Sequence, residues 1–261
     1  MLLVSVFLRL GAVQSLEAID SWGAEIAAAG VVRADGIVDA HGPRDVPVRW
    51  ASVTKLLTGL AALVAVEEGV VELDERLRRL LSHAGERRRQ YSNEGIEEAA
   101  ELVAAGAEMP FAEYFREAVV VPLGLRGSLA GSPASEYVGP LDDLLALGRE
   151  CLAPTLVTQE TLEEATAVQF PGLDGVLPGF GRQEPNDWGL AFELRDHKSP
   201  HWTGSTNSPR TFGHFGQSGT FLWVDPELGA ACGVLTNKDF GDWAKTAWPA
   251  LSDSVVREQR A

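Results

Sequence analysis

The chain has 261 residues, of which 45% are hydrophobic and 23% are charged, and its formal net charge is −15. This length and composition predict a globular protein with a large core, built as one domain or as one domain with a substantial insertion. The acidic charge argues against nucleic acid as a partner, because proteins that bind phosphate backbones present a basic face. The most basic run, Arg87-Arg88-Arg89, predicts a solvated loop.

The first ten residues are apolar, with one interruption at Arg9. They are too few to span a bilayer and lack the basic residues that open a signal peptide. We therefore expect no transmembrane segment and a cytoplasmic protein, with export through an atypical N-terminal signal left open. Cys151 and Cys232 lie far apart without zinc-type spacing, which predicts buried free thiols and leaves a single disulfide open.

The N-terminal part of the chain predicts a helix over 16–29, followed by a hairpin over 30–40 that turns at Asp35-Gly36. A second helix is predicted to begin at Val53. Its apolar residues recur at three- and four-residue steps along one stripe, and Gly69 occupies the left-handed position that ends many helices.

The middle of the chain is predicted to be helical and the end mainly β. Further helices are predicted at 76–81, 96–105, 110–121, 141–151 and 158–168. A Gly- and Pro-rich surface loop is predicted next, followed by strands at 187–194, 211–216, 220–225 and 230–237 and by a final helix over 242–256 that Pro249 kinks or splits. This order predicts an α+β fold: a single domain over 1–261, with an antiparallel β-sheet flanked by helices and an inserted helical lobe at about 70–170.

Ser52 and Lys55 stand at the start of the helix that is predicted from Val53. Residues three apart are neighbours on a helix surface, so the amine lies beside the hydroxyl. A serine hydroxyl is a poor nucleophile until a base takes its proton, and a partly desolvated amine can be that base or can tune another one. The ordinary alternative is a helix-capping serine and a solvated lysine.

Two further groups join this pair, Tyr91-Ser92-Asn93 and His214-Phe215-Gly216. With these motifs the sequence resembles the serine penicillin-recognising enzymes, particularly class C β-lactamases and the related DD-peptidases and esterases. The resemblance covers 22–243 in the expected order. Flanking sequences typical of the family are Val-Glu-Glu-Gly-Val-Val-Glu-Leu-Asp (66–74), Leu-Leu-Ser-His-Ala-Gly (80–85), Pro-Leu-Gly-Leu (122–125) and Val-Asp-Pro (224–226).

The resemblance implies that Ser52 attacks a carbonyl and forms an acyl-enzyme. Tyr91 is then the candidate general base, its phenol acidified by the Lys55 cation, and Lys55 either shares that role or leaves it to Tyr91. Asn93 would hold an amide-like group of the substrate. The backbone N–H groups of Ser52 and of Gln217, which follows Gly216, would form the oxyanion hole.

His214 occupies a position that is commonly Lys in the third motif of this family. A neutral imidazole supplies less positive field for a substrate carboxylate than an ammonium group does, which weakens the expectation of penicillin specificity. Lys55 and Tyr91 are also closer in sequence than in the large class C enzymes, which predicts a more open cleft.

The resulting hypothesis is a serine hydrolase that acts on an ester or amide: a β-lactam, a small ester or a D-amino-acid peptide. The expected partner is therefore a small molecule or peptide, and this hypothesis implies neither a metal nor a cofactor. The sequence does not indicate an oligomeric state. The alternative is a penicillin-recognising binding or sensor protein that is acylated without turnover. Simpler roles also stay open: a helix cap for Tyr91 and Asn93, and a core position for His214.

Overall fold

The computed structural model of this chain describes residues 13–261. The apolar segment at 1–10, on which the expectations about export rest, lies outside the described residues. No helix within the described part is both long and apolar enough to cross a membrane.

Strands and helices follow one another in a mixed order. In chain order the strands are β1 (Ala27–Arg33), β2 (Gly36–His41), β3 (Val48–Arg49), β4 (Ser128–Leu129), β5 (Tyr137–Gly139), β6 (Gly175–Leu177), β7 (Gly181–Gln183), β8 (Glu193–Leu194), β9 (Phe212–Phe215), β10 (Phe221–Asp225) and β11 (Ala230–Thr236). The helices are α1 (Thr54–Glu67), α2 (Glu75–Leu81), α3 (Asn93–Ala107), α4 (Phe111–Phe115), α5 (Leu141–Leu152), α6 (Gln159–Ala165) and α7 (Asp242–Arg260). Short 3₁₀ turns cover Gln14–Trp22 and Ala51–Val53, and a π turn covers Arg116–Val120.

The main sheet has six antiparallel strands in the spatial order β2-β1-β11-β10-β9-β8. Successive side chains of a strand point to opposite faces, and this sheet buries both of them. Val32 and Leu222 belong to the core that contains α1 and α5, whereas Val31 and Trp223 belong to the core that contains α7. Helices therefore cover both faces, and the α+β prediction of an antiparallel sheet flanked by helices is confirmed.

Helix α1 is buried on all sides: every residue from 54 to 65 is buried. This differs from the expectation of a single apolar stripe, because the small residues of α1 allow close packing on the faces that the stripe leaves out. Gly59 is one of them, and a Cβ atom there would lie 2.5 Å from the Ala191 Cβ. Gly69 has φ +73°, which confirms the left-handed end of this helix.

Three predicted elements have different bounds in the structure. The helix predicted over 16–29 ends at Trp22, because Ala27 already pairs with Thr236 in the sheet. The hairpin turns at 34–35, one residue earlier than predicted, since Gly36 pairs with Arg33. The strand predicted over 187–194 is reduced to β8.

Other predictions have mixed outcomes. Cys151 and Cys232 are buried free thiols, as predicted. Arg89 is buried and differs from the solvated run that was expected, because its guanidinium group donates to the backbone carbonyls of Ser82 and Asn186. Pro249 lies inside a continuous α7 and does not split it. The inserted helical lobe at about 70–170 remains a prediction.

Candidate active site

Ser52 lies on the 3₁₀ turn Ala51–Val53 that leads into α1. Strand β5 holds this turn: Tyr137 accepts at its carbonyl from the Trp50 N–H (2.9 Å), and its own N–H donates to Thr54 Oγ1 (3.0 Å). Ala51 has φ +46°, a left-handed conformation that costs a non-glycine residue energy. The surrounding structure thus fixes a strained turn directly before the partly exposed Ser52.

Lys55 is fully buried, and its Nζ atom has three neighbours with which it can form hydrogen bonds. It lies 3.3 Å from Ser52 Oγ, 2.6 Å from Asn93 Oδ1 and 2.8 Å from the Ala134 carbonyl oxygen. Burial lowers the pKa of Lys55 to about 7, against the opposing influence of two glutamates, Glu97 and Glu94. A substantial neutral fraction is therefore present near pH 7, and a neutral amine can accept a proton.

Tyr91 donates its hydroxyl to Ser52 Oγ over 2.7 Å, and its ring centroid lies 4.9 Å from Lys55 Nζ. Burial raises the pKa of Tyr91 above its usual range, and the hydrogen bond to Ser52 offsets only part of this. The expectation of a phenol acidified by Lys55 is therefore wrong in direction, because the loss of hydration on burial raises the pKa of Tyr91. Near neutral pH Tyr91 is a hydrogen-bond donor.

The remaining groups from the sequence lie in different settings around Ser52. Asn93 is exposed at the start of α3, with its side-chain oxygen engaged by Lys55. Gly216 lies against the turn that carries Ser52: a Cβ atom there would be 2.4 Å from the Trp50 carbonyl oxygen and 3.2 Å from the Ser52 N atom. Within residues 13–261, neither the Ser52 N–H nor the Gln217 N–H has an acceptor.

His214 is only 3% exposed and lies behind Tyr91, with 5.9 Å between the ring centroids. Its Nδ1 atom lies 2.7 Å from the Phe215 carbonyl oxygen. Burial, and then the Lys55 charge, lower the pKa of His214 to about 3, so the imidazole is neutral. The structure therefore places this side chain beneath the cleft rather than at its surface.

Two aromatic residues around Tyr91 were not selected from the sequence. The ring centroid of His83 lies 4.7 Å from that of Tyr91, and the ring centroid of Trp188 lies 5.8 Å from that of Tyr91. His83 belongs to the Leu-Leu-Ser-His-Ala-Gly stretch, which the sequence indicated only as a flanking sequence typical of the family. For Trp188 the sequence offered no signal beyond its being aromatic. The hydrogen bond from Lys55 to the Ala134 carbonyl oxygen could not be predicted, because every residue has a backbone carbonyl and the sequence does not distinguish this one.

His197 and His201, which are four residues apart, do not converge on a common ligand. His201 is buried with its Nε2 atom 2.9 Å from Glu193 Oε2, whereas the His197 side chain is 84% exposed. In the part of the chain that the structure describes, no three His, Cys, Asp or Glu side chains are grouped as a metal ion requires. The expectation of no metal stays a prediction.

The family model for Beta-lactamase matches residues 79–255. A crystal structure of a beta-lactamase from Mycobacterium bovis has 45% sequence identity and a TM-score of 0.92, and the match covers 95% of this chain and 100% of that one. The chain belongs to the beta-lactamase family. The family resemblance noted in the sequence is thereby confirmed, although the matched range begins after Ser52 and Lys55.

Two further proteins that match this chain are described as enzymes of different kinds. EstCE1, described as a hydrolase with promiscuous acyltransferase activity, has 16% identity and a TM-score of 0.74, covering 94% of this chain and 97% of that one. The ML-236A carboxylate methylbutanoyltransferase mlcH of Penicillium citrinum is 57% identical over 37 residues, which are 14% of this chain and 9% of that protein. The first shares the fold, and the second match spans less than a tenth of the transferase. These two matches therefore add a shared fold and a short shared sequence to the family assignment.

Proposed function

We propose that this protein is a serine hydrolase that cleaves a small ester or amide through an acyl-enzyme on Ser52. The observation that carries the proposal is the Lys55 amine, which lies 3.3 Å from Ser52 Oγ and has its pKa lowered to about 7. An amine that is neutral near physiological pH can take the proton of the serine as its oxygen attacks the carbonyl. This makes Lys55, rather than Tyr91, the general base in the proposal.

Tyr91 then serves as the hydrogen-bond partner of Ser52. Its phenol donates to Oγ at rest, which orients the hydroxyl. After attack, the phenol gives its proton to the leaving group and receives in its place the proton that Lys55 took from Ser52. Asn93 holds the Lys55 amine in place. The backbone N–H groups of Ser52 and Gln217, which lack acceptors within the described residues, supply the oxyanion hole.

We propose esters as the preferred substrates among the three classes left open. A β-lactam carries a carboxylate that needs a cation in the site, and His214 is both neutral and buried. EstCE1, a structural neighbour described as a hydrolase with acyltransferase activity, is consistent with this preference.

The test is hydrolysis of p-nitrophenyl acetate and butyrate by the purified protein and by the Ser52→Ala variant. We expect turnover by the native protein, a transient acyl adduct on Ser52 by mass spectrometry, and no turnover above background by the variant. Ester turnover that survives Ser52→Ala would remove Ser52 as the nucleophile. Stable labelling by a fluorescent penicillin without ester turnover would instead support a penicillin-recognising sensor.

A further inference from the structure

Four aromatic rings form a cluster directly behind the reactive hydroxyl groups. The imidazoles of His83 and His214 both pack against the ring of Tyr91, at 4.7 and 5.9 Å between centroids. Both also pack edge-on against Trp188, at 4.8 and 5.5 Å. His83 comes from the loop after α2 and His214 from β9, so the cluster joins two distant parts of the chain at Tyr91.

The backbone partners of the two imidazoles define different tautomers. His83 Nδ1 lies 3.4 Å from the Ser92 N atom, which can only donate, so Nδ1 accepts and the ring proton sits on Nε2. His214 Nδ1 lies 2.7 Å from the Phe215 carbonyl oxygen, which can only accept, so this Nδ1 carries the proton. His83 Nε2 is therefore a donor and His214 Nε2 an acceptor.

Both Nε2 atoms are buried, and neither has a hydrogen-bond partner in the described part of the chain. Burial, together with the Lys55 charge, lowers the pKa of each imidazole, so both rings are neutral and the assigned tautomers hold at neutral pH. Buried polar atoms in native proteins nearly always have a partner, which is often an ordered water molecule. Here an unpaired donor and an unpaired acceptor belong to two imidazoles that pack against the same two rings, Tyr91 and Trp188.

We propose that one buried water molecule bridges the His83 Nε2–H donor to the His214 Nε2 acceptor, and that this link holds the Tyr91 phenol at Ser52. His83 is then a positioning residue: it does not touch the substrate, but it connects the loop that carries Tyr91 to the sheet. The role in catalysis rests on the proposed function, since it supposes that Tyr91 serves acyl transfer from Ser52. A displacement of about 1 Å at such a site costs on the order of a hundredfold in rate.

Two conservative substitutions at His83 separate a hydrogen-bonding role from a packing role. Glutamine places an amide N–H near the original Nε2 position, whereas asparagine reaches only as far as Nδ1 and loses the bridge. We expect His83→Asn to lower kcat for p-nitrophenyl butyrate by about tenfold or more with KM within twofold, and His83→Gln to recover most of that loss. His197→Gln, which changes an exposed imidazole, is the control and leaves kcat unchanged.

The tautomers can be measured without any substrate. We expect ¹⁵N NMR of the native protein to show His83 protonated on Nε2 and His214 protonated on Nδ1. A crystal structure at high resolution should show a water molecule within hydrogen-bond distance of both Nε2 atoms.

Either reversed tautomers or equal kcat values for the native protein, His83→Asn and His83→Gln would overturn the proposal. A protein that hydrolyses no ester yet shows both tautomers and the water molecule would retain the bridge and reject only the proposed function.

Discussion

Lys55 Nζ and Ser52 Oγ lie 3.3 Å apart, one turn from each other at the start of α1. Burial lowers the pKa of this amine to about 7, so it is charged below that pH and increasingly neutral above it. Only the neutral form accepts a proton. We therefore expect kcat/KM for p-nitrophenyl butyrate to rise with pH through about 7 and then level off. A profile that stays flat from pH 5.5 to 8.5 would contradict Lys55 as the base.

Lys55→Arg should abolish the rise of kcat/KM with pH, because a guanidinium group stays protonated from pH 5.5 to 8.5. We expect kcat to fall by about 10³-fold, within the usual range for loss of a general base. The control is Lys245→Arg, which changes an exposed side chain paired with Asp242 on α7. That variant should keep the native rate and pH profile.

Tyr91→Phe should remove the hydrogen bond to Ser52 while keeping the ring that packs on His83 and Trp188. We expect kcat to fall by about 10²-fold or more, with a change in unfolding free energy of about 1 kcal/mol or less. Steady-state kinetics and urea unfolding measure the two effects separately. Tyr114→Phe, which loses a hydrogen bond to Glu68 away from the site, serves as the matched control. Equal activity of the two variants would count against a catalytic role for Tyr91.

Gly216→Ala should disturb the proposed oxyanion hole, because the new methyl group would lie 2.4 Å from the Trp50 carbonyl oxygen. Relief of this clash must move β9 away from the turn that carries Ser52. We expect a loss of about 10²-fold in kcat, comparable to removal of one oxyanion-hole donor. Gly241→Ala is the control, since a Cβ atom there meets nothing closer than 3.6 Å. Native kinetics in Gly216→Ala would show that this approach is not needed for activity.

Glu193→Gln should lower the stability of the fold rather than the rate of hydrolysis. The Glu193 carboxylate is buried, is paired with the Lys198 ammonium group and accepts from Trp202 Nε1 over 2.8 Å. Replacing the Glu193 carboxylate by a neutral amide leaves the buried Lys198 ammonium group without its partner. We expect this to lower the free energy of unfolding by about 3 kcal/mol. Urea unfolding measures this, and Glu227→Gln on the exposed turn after β10 should change stability by less than about 0.5 kcal/mol.

The pH dependence of stability gives a second test of the same pair. Its charged neighbours, Lys198 first, overcome burial and lower the pKa of Glu193 from 4.5 to about 2. A lowered carboxyl pKa stabilises the fold in full above the unfolded value of 4.5, and this contribution is lost as the pH falls towards 2. We expect the difference in unfolding free energy between the native protein and Glu193→Gln to shrink over that interval. A constant difference would argue against the ionised pair.

The sequence predicted the elements that have local signals and misjudged those decided by tertiary contacts. Gly69 and the helix α1 follow from periodicity and a left-handed glycine. The early end of the first helix at Trp22 does not, because pairing of β1 with β11, more than 200 residues away, takes over Ala27. Trp188 likewise lies outside β8: it keeps isolated bridges to Gln169 and Glu193, and its ring packs against His83 and His214.

For the candidate site, the sequence indicated residue types and order but not their protonation. The distances from Ser52 to Lys55 and Tyr91 depend on how the folded chain packs, which the motifs do not specify. The raised pKa of Tyr91 depends on how much water its ring loses, and the Leu-Leu-Ser-His-Ala-Gly stretch could not reveal that His83 covers it. Burial is a property of the whole fold, which explains why the predicted acidity of Tyr91 was wrong.

The burial of α1 over 54–65 means that distant parts of the chain together build the surroundings of Lys55. The sheet contributes β9 and the middle of the chain contributes Ala134 and Tyr91, and both must close around the helix before the amine loses its water. A fragment that contains α1 with only one of these two parts would leave Lys55 hydrated and fully charged. A lowered pKa of Lys55 is thus a direct indicator that both parts have packed around the helix.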